Sequence, residues 1–465
     1  MTTIEPQLVE YAAEPDAATF PRDVRLGAAT AAFQIEGAVA EGGRGESIWD
    51  TFCRTPGAVA NGDTGDVACD HYHRLEADLD LMAELGLECY RFSIAWPRVQ
   101  PDGRGPANPE GLAFYRRLAE GLLERGIEPI ATLYHWDLPQ ALQDAGGWAA
   151  RDTAQRFADY AAILGEELGD EVSQWITHNE PWVVAFLGHA EGIKAPGLRH
   201  WPTALRASHH LLLSHGLALR ALRSVLGDLA EVGIAVNLFP VHAASPREDD
   251  REAARRMDGH LNRWFLDPLL RGSYPADMVA CYEGLYGPPD SVRDGDLDLI
   301  SAPIDFLGVN YYNPERIEAA PTDLPLQARR VPAVPPTTAM GWEVDPNGLH
   351  EILGRLRRDY GAPPVYITEN GASFDDPPAV DGQVDDPERT AYLQSHLTAL
   401  ARAVADGVDV RRYCVWSLLD NFEWEQGYDK RFGIVHVDFE TLARVPKRSA
   451  LWYRDFIARL RAGER

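Results

Sequence analysis

Gln174-Trp175-Ile176-Thr177-His178-Asn179-Glu180-Pro181 is a short β-rich run that stops on a carboxylate followed by a proline. Its counterpart, Pro364-Val365-Tyr366-Ile367-Thr368-Glu369-Asn370-Gly371, stops on a carboxylate followed two residues later by a glycine. The strand portions are Gln174–Thr177 and Pro364–Thr368. Six further runs of the same kind are Arg25–Ala29, Cys89–Ile94, Pro129–Tyr134, Gly233–Leu238, Asp305–Tyr311 and Arg412–Ser417. Most are nearly continuous in apolar character, as strands buried on both faces of a parallel sheet should be. Between them lie stretches with helical spacing: Leu75, Leu79, Met82; Leu112, Tyr115, Leu118, Leu122; Leu349, Ile352, Leu353, Leu356; and Trp452, Phe456, Leu460. Strands alternating with helices in this number predict an α/β fold, a single closed (β/α)8 TIM barrel, rather than an open doubly wound sheet. No G-x-G-x-x-G follows the first run to favour a dinucleotide fold.

The chain has 465 residues, 45% apolar and 25% charged, which is ordinary globular composition. That length spans one to three average domains, but α/β barrels exceed the average as single units. No internal repeat or low-complexity linker divides it, so one domain over 1–465 is predicted, with about 1–18 a flexible N-terminal tail. A net charge of −27 repels phosphate backbones and anionic lipid. Neither nucleic acid nor a membrane surface is therefore an expected partner. Only Lys194, Lys430 and Lys447 among 44 basic residues are lysines, an arginine-rich usage that points to a GC-rich bacterial source. The five cysteines are scattered with no C-x-x-C pair, so reduced thiols are expected. Met1 to Phe20 is acidic and lacks the apolar segment of a signal peptide. No window reaches the roughly eighteen apolar residues of a membrane span. Cytoplasm is the predicted compartment.

The excess length lies in segments that follow strands: residues 34–72, residues 313–341 with their six prolines, and residues 372–388. Long βα loops are predicted to wall a deep pocket at the C-terminal face of the barrel. Glu180 and Glu369, each at the end of a strand, would meet at that mouth. Two facing carboxyl groups suit glycosidic bond cleavage: one protonates the leaving oxygen and the other attacks or supports the sugar cation.

Seven motifs in order now carry a resemblance that covers nearly the whole chain. They are Gln34-Ile-Glu36-Gly37, Arg91-Phe-Ser-Ile-Ala-Trp-Pro97, Tyr134-His135-Trp136-Asp137-Leu-Pro139, Asn179-Glu180-Pro181-Trp182, Asn310-Tyr311-Tyr312, Thr368-Glu369-Asn370-Gly371 and Trp416-Ser-Leu-Leu-Asp420-Asn421-Phe-Glu423-Trp424. The sequence resembles glycoside hydrolase family 1. The resemblance implies a retaining β-glycosidase on a (β/α)8 barrel, with Glu369 as nucleophile and Glu180 as acid/base. The substrate it implies is a small β-glucoside or cello-oligosaccharide, cleaved at its terminal glucose, with no metal or organic cofactor.

The residue types suit those roles. Arg91 is a permanent cation that would keep the Glu369 carboxylate ionised, and Tyr312 could donate to the same carboxylate. Glu180 needs the opposite, a pKa raised by apolar surroundings and by the charge of Glu369. The sugar-holding set implied is Gln34, His135, Trp136, Asn179, Asn310, Glu423 and Trp424, with Trp416 as platform. Trp342 and Phe432 are the expected aromatic walls of the pocket. Glu423 falls where the family contacts the 4- and 6-hydroxyls. A carboxylate there disfavours a 6-phosphate, since two unit charges at 4 Å cost about 4 kcal/mol at an effective dielectric near 20.

Other signals read blandly. His71-Tyr-His73 lacks the further ligands a zinc site needs. His209, His210 and His215 are expected to pack or face solvent, and the Arg355–Arg358 cluster to be a solvated helix face. Where relatives often read Gly-Tyr and His-Ala-Pro-Gly after the acid/base motif, this chain has Gly188-His189 and Lys194-Ala-Pro-Gly197. That departure is expected at the rim, in the leaving-group preference. The competing readings are a β-galactosidase or β-fucosidase, a thioglucosidase-like enzyme, which Glu180 argues against, and a non-catalytic sugar-binding relative.

Overall fold

The computed structural model describes residues 14–287 and 290–463. Eight parallel strands close into a barrel: β1 (Arg25–Ala29), β2 (Cys89–Ser93), β3 (Glu128–Tyr134), β4 (Gln174–Asn179), β5 (Glu231–Asn237), β6 (Phe306–Tyr311), β7 (Val365–Asn370) and β8 (Val410–Trp416). Each strand neighbours the next, and β1 closes the ring by pairing with both β2 and β8. β2, β4, β6 and β7 are buried along their whole length, which is why their sequences lack polar alternation.

Helices follow every strand: α1 (His71–Glu84), α2 (Pro109–Glu124), α3 (Asp152–Leu168), α4 (Trp201–Leu226), α5 (Glu248–Asp258), α6 (Pro346–Arg355), α7 (Pro387–Ala405) and α8 (Arg448–Ala462). Local chemistry starts several of them. Pro109 and Pro346 occupy the first turns of α2 and α6, where a missing N–H is not needed. Asn108 and Asp345 cap those turns by accepting from the backbone N–H groups of Glu110 and Asn347. The apolar stripe Leu112, Tyr115, Leu118 and Leu122 is buried against the barrel, as its spacing requires. At about 25 cal/mol per Å² of apolar surface, such a stripe stabilises the helix by several kcal/mol before entropy is counted. Among the described residues no helix is long and apolar enough to cross a membrane.

Two expectations need correction. Of the stretch expected to be a tail, residues 1–13 lie outside the described residues. The remainder is anchored: Ala17 is buried, and Glu14 accepts from the Trp452 indole and the Arg459 guanidinium of α8. The Arg355–Arg358 cluster is not uniformly solvated either. Arg355 forks onto Asp258 of α5 and is mostly buried, because a planar guanidinium matches a carboxylate with two bonds. The three histidines of α4 are buried, with His209 bonded to Asp296 and Tyr274.

Candidate active site

The strand register brings the motif residues to one end of the barrel. Ala29 pairs with Arg91 on one side and Trp416 on the other, and Asn237 pairs with Asn310. Pairing slips next to each carboxylate. The β4–β5 register shifts between Ile176 and Asn179, and the β6–β7 register between Ile367 and Glu369. Such irregularities re-aim a side chain locally. Gly371 follows because a Cβ there would fall 1.7 Å from the Trp416 carbonyl oxygen. No side chain fits.

Glu369 is buried and held from two sides. Arg91 donates from Nη1 to Oε1 at 2.6 Å, and the Tyr312 hydroxyl donates to Oε2 at 2.6 Å. Arg91 is itself fixed by Thr132 Oγ1 (3.0 Å), the Thr368 carbonyl (3.2 Å) and Asn179 Oδ1 (2.7 Å). Among the described residues no cation contacts Glu180, which accepts from Asn310 Nδ2 at 2.7 Å. Burial first and the Glu369 charge second push Glu180 up to about 8. Burial raises Glu369 as well, but Arg91 and Tyr312 oppose it. A single proton shared by the pair therefore rests on Glu180. Burial and the Glu369 charge raise the Tyr312 phenol far up, so it remains a donor.

A chain of hydrogen bonds joins the two carboxyl groups. Asn179 Oδ1 accepts from both Arg91 and Asn310 Nδ2, and the Asn310 amide is oriented by the Thr368 hydroxyl donating to its oxygen at 2.6 Å. The Asn179 amide nitrogen then faces His135 Nε2 at 3.0 Å. Nε2 must accept, so the His135 proton sits on Nδ1, which is buried and has no partner among the described residues. Burial and the nearby Arg91 charge keep the ring neutral. Gln34 donates from Nε2 to Asn421 Oδ1 and the Phe422 carbonyl, leaving buried Oε1 without a partner. A free donor on His135 and a free acceptor on Gln34 are what a hydroxylated ligand would satisfy.

His135, Glu180, Tyr312, Trp342, Glu369, Trp416, Glu423, Trp424 and Phe432 line a cavity of about 560 Å³, whereas Gln34, Arg91, Asn179 and Asn310 are buried and are not among its lining residues. Trp416 stacks on His135 at 5.6 Å, while Tyr312, Trp342 and Phe432 cluster within 6.2 Å of one another. Trp136 also lines the cavity, but its indole N–H is taken by the Asn179 carbonyl at 3.0 Å, so the ring face is what it offers. Trp136, Glu180 and Trp424 all carry positive φ, 81°, 49° and 52°, a region that costs a non-glycine residue about 1 kcal/mol or more and recurs at functional sites. Of the three long loops, 313–341 supplies wall residues. Residues 34–72 and 372–388 stand behind the wall. Trp49 packs on Trp424 at 4.5 Å, and Asp376 and Asp386 pair with buried Arg389. Among the described residues no cluster of His, Cys, Asp or Glu is arranged to hold a metal ion.

Sequence reasoning missed one cation. Lys194 was expected with its loop at the leaving-group rim. It instead lies over the Trp136 ring at 5.3 Å, pairs with Glu425, and acts electrostatically on Glu423. Its substitution for the family's histidine was the only signal. Lys430 donates to the Ala339 carbonyl at 2.9 Å.

The model of glycosyl hydrolase family 1 matches residues 16–461. The chain is 50% identical to β-glucosidase A of Acetivibrio thermocellus, over 94% of this chain and 98% of that one. It is 48% identical to a bifunctional β-D-glucosidase/β-D-fucosidase of Bifidobacterium breve, over 94% and 98% of the two chains. Among solved structures, the family 1 β-glucosidase of Thermotoga maritima superposes with a TM-score of 0.91 at 46% identity, covering 95% of this chain and 98% of that one.

Proposed function

The chain belongs to glycosyl hydrolase family 1, and from that membership we propose a β-glucosidase that removes terminal β-D-glucose with retention of configuration. The single observation that carries the mechanism is the asymmetry of the two carboxyl groups: Glu369 is gripped by Arg91 and Tyr312, whereas Glu180 is raised to about 8 beside Asn310. In the first step the Glu369 carboxylate attacks the anomeric carbon as Glu180 gives its proton to the departing glycosidic oxygen. The leaving alcohol departs, and a covalent glycosyl-enzyme remains. Glu180, now a carboxylate, takes a proton from water, which attacks the same carbon and releases Glu369.

Binding is led by the two unsatisfied groups. His135 Nδ1–H and Gln34 Oε1 would meet adjacent sugar hydroxyls, Asn179 the 2-hydroxyl, and Glu423 the 4- and 6-hydroxyls, with Trp416 under the C–H face. Trp342 and Phe432 would flank the leaving group. Unphosphorylated sugars are favoured, since the Glu369 and Glu425 carboxylates border the pocket while Arg91 and Lys194 are already paired. Cello-oligosaccharides and aryl β-glucosides fit this class, and the double activity of the Bifidobacterium relative makes β-fucosides the second sugar to assay. The single catalytic domain and a cytoplasmic setting complete the proposal; the latter is supported by five free cysteines, four of them buried. Proton NMR of early hydrolysis of a nitrophenyl β-glucoside tests the mechanism: β-glucose should appear first, with the α-anomer growing only as it mutarotates. Initial α-glucose would refute Glu369 as nucleophile.

A further inference from the structure

Lys194 sits on a short turn whose backbone is firmly held. The Ile193 and Lys194 N–H groups donate to the Leu187 carbonyl at 3.1 and 3.3 Å, and Gly197 N–H donates to the Lys194 carbonyl at 2.8 Å. The turn opens on Gly192 in the left-handed region, φ 69°, where a side chain would be strained and would also meet Arg199. From this base the lysine side chain reaches inward, and only 13% of it is exposed. Its ammonium has two neighbours: the Glu425 carboxylate and the face of Trp136.

Glu425 belongs to the same tight turn as Glu423. Glu423 N–H donates to the Gly427 carbonyl at 2.7 Å, and Gln426 N–H donates back to the Glu423 carbonyl at 2.9 Å. Fixing Glu425 thus fixes the backbone that aims Glu423. Trp136 in turn packs on Trp424 of that turn at 4.5 Å. Three separate connections, after β3, β4 and β8, converge on one ammonium. The charged and polar groups facing Glu423 are Lys194 after β4, Glu425 on its own turn, Glu369 at the end of β7 and Gln34 after β1. Burial raises the Glu423 carboxyl most; Lys194 opposes that rise, and the two glutamates add to it.

We propose that Lys194 is a positioning and specificity-determining residue: clasped by Glu425 and seated on Trp136, it sets the place and charge at which Glu423 meets the hydroxymethyl side of the sugar. The clasp rests on the role proposed above for Glu423. It operates where glucose carries C6 and its hydroxyl, so it discriminates hexosides from pentosides that lack that group. A lysine that merely braced the loop would affect both sugars alike.

The experiment compares nitrophenyl β-glucoside with nitrophenyl β-xyloside on the full chain and its variants Lys194→Met, Lys194→Arg, Glu425→Ala and Glu423→Gln. Lys194→Met should raise the glucoside KM about tenfold with a smaller change in kcat, and lower the glucoside-over-xyloside preference by about tenfold. Lys194→Arg should hold that preference within about threefold, since the cation is retained. Glu425→Ala should shift it in the same direction as Lys194→Met, and serves if the methionine variant does not fold. A preference that stays within about threefold of the parent in both Lys194→Met and Glu425→Ala, or an equal loss on both sugars, overturns the clasp. Glu423→Gln separates the two readings. If it collapses glucoside turnover while Lys194→Met keeps the preference, the clasp alone is wrong; if it leaves turnover intact, the role of Glu423 is wrong.

Discussion

The floor of the cavity and its outer wall are built on opposite plans. The floor is set by Glu180 and Glu369 together with buried Arg91, Asn179 and Asn310, residues on or just after the barrel strands whose polar atoms are bonded mainly to one another. The wall, around residues 313–343, carries ion pairs at the edge of solvent. Arg316 forks onto Glu343 and Arg330 meets Glu315, with the arginine side chains 34% and 45% exposed. A floor network in low dielectric transmits any loss to every member, and breaking a buried pair there costs about 3–5 kcal/mol. Exposed pairs are screened and contribute about 0–1 kcal/mol each. Reaction chemistry should therefore tolerate almost nothing in the floor, whereas leaving-group preference should be adjustable in the wall.

Variants of the two glutamates test that contrast most severely. Glu369→Ala should lower kcat by roughly 10⁴-fold or more on every substrate, because no glycosyl-enzyme can form. Glu180→Ala should lower hydrolysis of cellobiose by about 10²- to 10⁴-fold. It should spare release of dinitrophenolate in the first turnover, since that group departs without a proton. Equal losses on the two substrates would contradict Glu180 as the acid.

A smaller effect comes from pH. The acid must be protonated, so activity should be lost as pH rises through about 8, the value to which burial and Glu369 push Glu180. The carboxylate of Glu369 must be ionised, so activity should also fall on the acid side. The two limbs of kcat/KM belong to the coupled pair. A covalent fluoroglycosyl group on Glu369 removes its charge, so the Glu180 carboxyl, followed by carbon NMR of labelled glutamate, should then titrate below about 8. The smallest effect is reserved for the wall. Trp342→Ala should change kcat/KM for aryl and disaccharide leaving groups unequally, by about three- to tenfold, with little effect on hydrolysis of the glycosyl-enzyme. A uniform loss across leaving groups would place Trp342 with the floor.

Much of this was readable from the chain alone. All eight barrel strands lie where apolar runs and helical spacing predict them, because a strand buried on both faces cannot carry alternating polar residues. The seven ordered motifs contain several of the cavity's lining residues, among them His135, Glu180, Tyr312, Glu369, Trp416, Glu423 and Trp424. Glu180, Glu369, Arg91 and Tyr312 come together from β4, β7, β2 and the end of β6. Less was visible in the loops, where residue type does not say which way a segment turns. Residues 34–72 and 372–388 looked like pocket walls and became its backing, through Trp49 behind Trp424 and the buried Asp376–Arg389 pair.

Hydrophobic periodicity is local, and it was enough to determine strands, helices and the closed barrel. Residue chemistry at strand ends was enough to point to a carboxylate pair. What tertiary structure alone decided was direction and charge. The register slips beside Glu180 and Glu369, the left-handed backbone at Trp136, Glu180 and Trp424, and the unpartnered nitrogen of His135 exist only once the ring has closed. Lys194 shows the reason most directly: its ammonium meets Glu425 from 231 positions away in sequence, and pairing at that range is set by packing, which no local pattern encodes.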